Sequence, residues 1–162
     1  MPHLTETKEI AAPPRRVFEA INNYGRRLEW DTLLRDAKVL SSTGQPLPLD
    51  TPLEKGMTIR SYARWLSGGV VMDTVYKLCE FPDAELEMVT GPWFFESFQA
   101  SAHLKETPDG GTRWQSDYTF VCRPRILRSI VEPIVAWIFR RETRMRVDGM
   151  SRWLEAENRR QA

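Results

Sequence analysis

The chain has 162 residues, and its 23 Lys and Arg nearly match its 22 Asp and Glu, leaving a net charge of +1. That length allows one domain with a sizeable core, expected to span residues 1–162, and so even a balance gives no reason to expect a nucleic-acid partner. The opening Met-Pro-His-Leu-Thr-Glu has neither a basic nor an apolar region, so no signal peptide is expected and the location reads as cytoplasmic. Residues 3–10 are extended by pattern and stop at Ala11-Ala12-Pro13-Pro14. Prolines ahead of residues 15–21 suit the first turn of a helix, where a missing N–H costs nothing. Asn22-Asn23-Tyr24-Gly25 breaks that helix, and residues 26–34 are expected to form a second short one before residues 36–41 extend again. Residues 43–55, with Pro46, Pro48 and Pro52, read as a loop.

From Gly56 the pattern is antiparallel sheet. Residues 57–65 and 70–80 are expected to join at Ser67-Gly68-Gly69, and residues 85–90 and 94–106 at Gly91-Pro92-Trp93. Thr107-Pro108-Asp109-Gly110-Gly111 then turns into residues 112–122. About seven strands result. Alternation predicts an inward face made of Ile59, Ser61 and Ala63; Met72, Thr74, Tyr76 and Leu78; Leu86 and Met88; Phe98, Ala100, Ala102 and Leu104; and Trp114, Ser116, Tyr118, Phe120 and Cys122. A single β-bulge would flip everything downstream of it.

Residues 125–160 read as one helix, roughly 54 Å long at 1.5 Å per residue. From Ile126 to Phe139 it is apolar on nearly every side, so it wants to be surrounded, and a sheet wrapped around such a helix makes a container. Ile130 to Phe139 is too short to span a bilayer and is interrupted by Glu132 and Pro133. Residues 123–162 hold ten Arg against five acids. Arg140, Arg141, Arg144 and Arg146 could therefore meet anionic lipid; the preferred view is that Glu142 and Asp148 neutralise part of this charge and the helix simply covers the sheet.

Several short stretches carry a family likeness: Ile10-Ala11-Ala12-Pro13-Pro14-Arg15-Arg16-Val17-Phe18 at the first strand-to-helix step, Trp30, Gly56, Gly110-Gly111-Thr112-Arg113 and Arg152-Trp153-Leu154-Glu155. With the order strand, two helices, meander and long terminal helix, the chain resembles the α+β helix-grip fold of the START-related, pollen-allergen-like superfamily. Within it, the chain is similar to the bacterial polyketide cyclase/dehydrase and lipid-transport family. The resemblance implies a cavity between sheet and long helix that accommodates a hydrophobic or aromatic molecule or a lipid. It implies no particular reaction, because a fold does not fix a function.

Chemistry-bearing residues are sparse. His3 and His103 stand alone, and Cys79 and Cys122 sit in no CxxC, so no metal is expected and both cysteines read as reduced core residues. Gly68-Gly69 and Gly110-Gly111 are turns rather than phosphate loops, and no cofactor is expected. Ser61 and Ser116 have no histidine to activate them. What remains is an inward set of apolar and amphipathic side chains suited to a small hydrophobic ligand: Ile59, Ser61, Met72, Thr74, Tyr76, Met88, Phe98, Trp114, Ser116, Tyr118, Ile130, Ile134 and Ile138. The competing view is a filled core in which the hydroxyls satisfy each other. Trp30, expected at the cavity mouth, reads as a packing plug rather than a ligand contact. Asp31, Asp73 and Glu96 are the nearest acids, with Asp73 on the outward parity. Binding or transport is the first expectation. The alternatives are a cyclase or dehydratase using Tyr118 or Tyr76 with a carboxylate as acid and base, and a lipid carrier docked through the basic helix.

Overall fold

A computed structural model of the chain describes residues 2–65 and 68–162. The elements are β1 (His3–Ile10), α1 (Pro14–Asn22), α2 (Tyr24–Trp30), β2 (Leu34–Leu40), β3 (Pro46–Leu47), β4 (Thr58–Trp65), β5 (Gly68–Glu80), β6 (Asp83–Thr90), β7 (Phe95–Glu106) and β8 (Thr112–Cys122), then a 3-10 turn (Arg125–Leu127) and α3 (Arg128–Gln161). The strands form one antiparallel sheet in the order β1-β8-β7-β6-β5-β4-β2-β3, against which α3 packs. This is the expected helix-grip architecture, with an eighth strand.

Local chemistry explains most boundaries. Pro14 opens α1, and Asn23 ends it and caps α2, its side chain accepting from the Arg26 N–H at 3.1 Å. α2 stops at Trp30, short of the expected residue 34, because the Asp31 carboxylate accepts from the Leu33 N–H at 3.2 Å and turns the chain outward. Pro46–Leu47 pairs with Val39 and Leu40 at the sheet edge, where proline's missing donor is harmless, so part of the expected loop is strand. In the expected turn between β4 and β5, Ser67 lies outside the described residues, and Gly68 and Gly69 already belong to β5. Gly110 takes φ +81° in the β7–β8 turn, a backbone conformation that disfavours any side chain.

Two bulges shift the inward face. Register slips between Tyr76 and Leu78, so Cys79 rather than the expected Leu78 packs into the core. It slips again between Phe95 and Ser97, which turns Glu96 outward to pair with Arg128 and leaves both Phe95 and Phe98 buried.

The core has three parts. The first joins α1, Trp30, Leu104 and Trp114 to Val147, Met150 and Leu154 of α3. The second lies under β2, β4 and β5 around Tyr24, Ile59 and Tyr76. The third gathers Leu4, Phe95, Phe98, Phe120, Val135 and Phe139. Phe139 is central there, stacked on Tyr118 at 5.2 Å and 5° and touching Phe98 and Phe120 at 5.5 and 5.4 Å. Such pairs each contribute about 0.5–1.5 kcal/mol beyond buried area.

Candidate functional site

The second and third core clusters do not close on each other. Between them lies a cavity of about 160 Å³, walled by Leu34, Ala63, Val70, Met72, Leu86, Phe94, Phe95, Phe98, Ala100 and Phe139, with Ser61 and Thr74 on the sheet side and Tyr24, Arg27, Glu142 and Arg146 on the helix side. A larger hollow of about 330 Å³ lies on the other face of the sheet among Lys77, Glu85, Glu87, Gln99, Asp117 and Thr119; these are solvated side chains and offer no enclosed apolar wall.

The polar wall is a charge cluster built on Asp31, whose side chain has no exposed surface. Its Oδ2 accepts from Arg27 Nε at 3.1 Å and from Arg146 Nε at 3.2 Å. Burial opposes its ionisation, but the two guanidinium groups outweigh that and hold the carboxyl below its ordinary range. Arg27 also donates to the Tyr24 hydroxyl at 3.3 Å and lies over the Tyr24 ring. One turn before Arg146, Glu142 is buried, and its one ion pair among the described residues is with Arg146 Nη1 at 3.9 Å. Burial pushes the Glu142 carboxyl up, Arg146 and Arg141 oppose this, and Asp31 reinforces it. Two fixed cations thus face one fixed anion and one carboxyl displaced toward its neutral form. The wall offers guanidinium edges to the cavity.

Of the residues expected to line the site, Ser61, Met72, Thr74 and Phe98 do. Ile59 and Tyr76 are packed in the second cluster, the Tyr76 hydroxyl donating to Asn22 Oδ1 at 3.0 Å. Trp114 belongs to the first cluster, Met88 packs against the third, and Ser116 is buried outside the lining. Tyr118 stands behind Phe139, its hydroxyl 3.1 Å from that of Thr143. Ile138 is buried without reaching the cavity. Ile130 and Ile134 face solvent, since α3 presents Val131, Val135 and Phe139 to the sheet instead. Arg146, expected on the surface, is the cavity's cation, and Arg140 pairs with Glu6 at 3.3 Å. Of the three acids, Asp31 supports the site, whereas Asp73 pairs with Arg60 at 2.8 Å and Glu96 with Arg128, both away from the cavity. Trp30 is buried in the first cluster and donates to the Ala20 carbonyl at 3.1 Å; it packs rather than lining the cavity, between helices and not at the cavity mouth.

The sequence reading missed Tyr24, Arg27, Glu142 and Arg146. A signal for the last two exists: stepping back from Leu154 and Met150 by three and four residues gives Val147, Thr143 and Phe139, and the same face carries Arg146 and Glu142. Among the described residues no group of three or more His, Cys, Asp or Glu could hold a metal ion. Among the described residues no helix is long and apolar enough to cross a membrane.

A fold of this kind with a partly polar cavity under its long helix defines a class. The family model described as polyketide cyclase / dehydrase and lipid transport matches residues 1–155, so the chain belongs to that family. Similar solved structures share the fold at low identity. A START superfamily protein from Mycobacterium smegmatis is 12% identical with a TM-score of 0.75, the match covering 95% of this chain and 97% of that one. The Zhui aromatase/cyclase from Streptomyces sp. R1128 is 14% identical with a TM-score of 0.72, covering 98% and 94%. A norcoclaurine synthase from Thalictrum flavum, solved as a point mutant with a transition-state analogue, is 12% identical with a TM-score of 0.69, covering 97% and 96%. Comparison with curated protein sequences finds no match.

Proposed function

We propose that the chain binds a small aromatic or apolar molecule carrying an acid group, its ring among Phe94, Phe95, Phe98 and Phe139 and its acid end toward Arg27, Glu142 and Arg146. The observation that carries this is the cavity itself: apolar on one side, with two guanidinium groups and the Glu142 carboxyl on the other. Size narrows the ligand. A cavity of roughly 150 Å³ holds a benzene-sized guest, whereas sites for larger ligands run from roughly 300 to 1,000 Å³. At about 160 Å³ this one suits a single ring and is too small for a fused polyketide. An apolar body supplies affinity through burial, and the guanidinium edges orient the acid.

The test is a melting screen with native mass spectrometry, using single-ring carboxylic acids, their neutral amides and polycyclic compounds. At a hundredfold excess over Kd a ligand stabilises by about 2.7 kcal/mol, a shift of several degrees at this size. Single-ring acids are expected to outperform the other two sets. If no apolar compound binds or shifts the melting temperature, the proposal is wrong.

A second reading, an enzyme of the cyclase or dehydratase type, is favoured by one observation: Glu142 is a buried carboxyl with raised pKa at the cavity wall. Such a group serves as general acid or base, a role for which Tyr76, turned to Asn22, and Tyr118, behind Phe139, are less well placed. For any compound found to be turned over, Glu142→Gln should cut kcat by about 10²–10⁴-fold with affinity changed only a few-fold. Unchanged kcat would remove Glu142 from the chemistry.

A further inference from the structure

Five large apolar side chains crowd one end of the molecule without cover. On α3 and the turn before it, Ile126 (85% exposed), Ile130 (62%), Ile134 (53%) and Trp137 (59%) recur every three or four residues and form one stripe on the face turned away from the sheet. Trp93 (77%) stands beside the start of that stripe: the neighbouring Phe94 carbonyl accepts from the Arg123 N–H at 2.7 Å, and Glu96 pairs with Arg128. This is a contiguous ridge rather than scattered apolar residues, and on a water-exposed protein it calls for something to cover it.

Charge says what. Four and seven residues past Trp137 the same helical face continues as Arg141 and Arg144, both exposed, and Arg123 and Arg125 stand exposed at the other end. None of these four makes an ion pair among the described residues. Within residues 123–144 the only acids are Glu132, whose carboxylate accepts from the Cys122 N–H at 3.1 Å, and the buried Glu142. A second copy seated on the ridge would bring arginine against arginine. An anionic bilayer surface does the opposite, taking isoleucine and tryptophan into the headgroup and acyl boundary while arginines meet phosphates.

We propose that this ridge docks the protein on anionic lipid surfaces, α3 lying along the interface with Trp93 and Trp137 at headgroup depth. The docking rests on the ridge alone and is independent of the cavity's ligand, though the two are adjacent: the Trp93 ring meets that of Phe94, a cavity wall, at 6.0 Å. An apolar acid dissolved at the bilayer surface would therefore lie next to the cavity.

The experiment is co-sedimentation of the full chain with vesicles of pure phosphatidylcholine and of an equimolar mixture with phosphatidylglycerol, at low and high salt. The wild type should bind the mixed vesicles at low salt, and pure phosphatidylcholine at least about tenfold more weakly. Each basic residue near an anionic surface is worth about fivefold in partitioning, so Arg141→Glu with Arg144→Glu should lower binding by more than about twentyfold. Ile134→Ser with Trp137→Ser should lower it at least about tenfold on the mixed vesicles. Because these positions are exposed, both variants should keep the wild-type melting temperature; if one does not, Ile130→Ser and Arg144→Glu alone carry the same expectations at smaller amplitude. Failure of the wild type to sediment, binding that survives loss of the ridge, or a dimer in light scattering that the serine pair converts to monomer would each overturn the proposal. Ligand-induced melting shifts in the same variants should equal those of the wild type, which separates a failure of docking from a failure of the cavity.

Discussion

Asp31 shows how a single residue connects folding to the site. It ends α2 by accepting from the Leu33 N–H, and the same carboxylate holds Arg27 and Arg146 at the cavity wall. Replacing it with Asn removes the anion while leaving two buried cations, a change that costs about 3–5 kcal/mol in comparable buried pairs. Urea unfolding of Asp31→Asn should show that loss at neutral pH. The sign with pH follows from the lowered carboxyl. Its contribution is present above the unfolded value near 3.8 and is lost as pH falls through the lower folded value, so wild type and variant should converge in acid. Glu142 acts in the opposite sense: its raised carboxyl makes ionisation in the folded state a cost that appears as pH rises above the unfolded value near 4.5. A stability difference for Asp31→Asn that stays constant down to strong acid would remove Asp31 from the charge cluster. This residue was among the acids picked out in the sequence, and Arg27, four residues before it, lay within reach of local pairing, but Arg146 is 115 positions away and meets it only through tertiary packing.

At the level of elements, α3 is where sequence and structure differ most. Ile126 to Phe139 is apolar on nearly all sides, so composition alone does not say which side faces the sheet, and Ile130, Ile134 and Ile138 were as good a choice as Val131, Val135 and Phe139. The second half of the helix fixes the rotation. Gly149 packs so closely on α2 that an added Cβ would lie 2.9 Å from the Trp30 carbonyl oxygen. Helix propensity favours Gly149→Ala by about 1 kcal/mol, but the contact is with backbone and cannot move aside, so overpacking by about 1–3 kcal/mol should win. Thermal melting should show a net loss; a gain would mean that α3 and α2 are not locked here. The strands were legible to within a few residues, since alternation and turn chemistry are local signals. The bulges were not, and two of them moved Leu78 and Glu96 out of the places parity gave them.

For the whole molecule, the order of elements was readable because strand, helix and turn signals each depend on neighbours in the chain. The cavity was readable only as an expectation from family likeness, since empty space is a property of how two core clusters fail to meet. Its small size underlies the proposed ligand: the family description spans cyclisation, dehydration and lipid transport, and the proposal of a small acid rests on about 160 Å³ beside two guanidinium groups. The most direct test of this account fills the cavity. Ala100 lies in its wall on β7, and Ala100→Leu should occupy the ligand's space while keeping or raising the melting temperature, as cavity filling commonly does. Measured against a single-ring carboxylic acid that stabilises the wild type, the variant is predicted to lose the ligand-induced melting shift. An unchanged shift in a folded Ala100→Leu protein would place the ligand elsewhere and contradict the account.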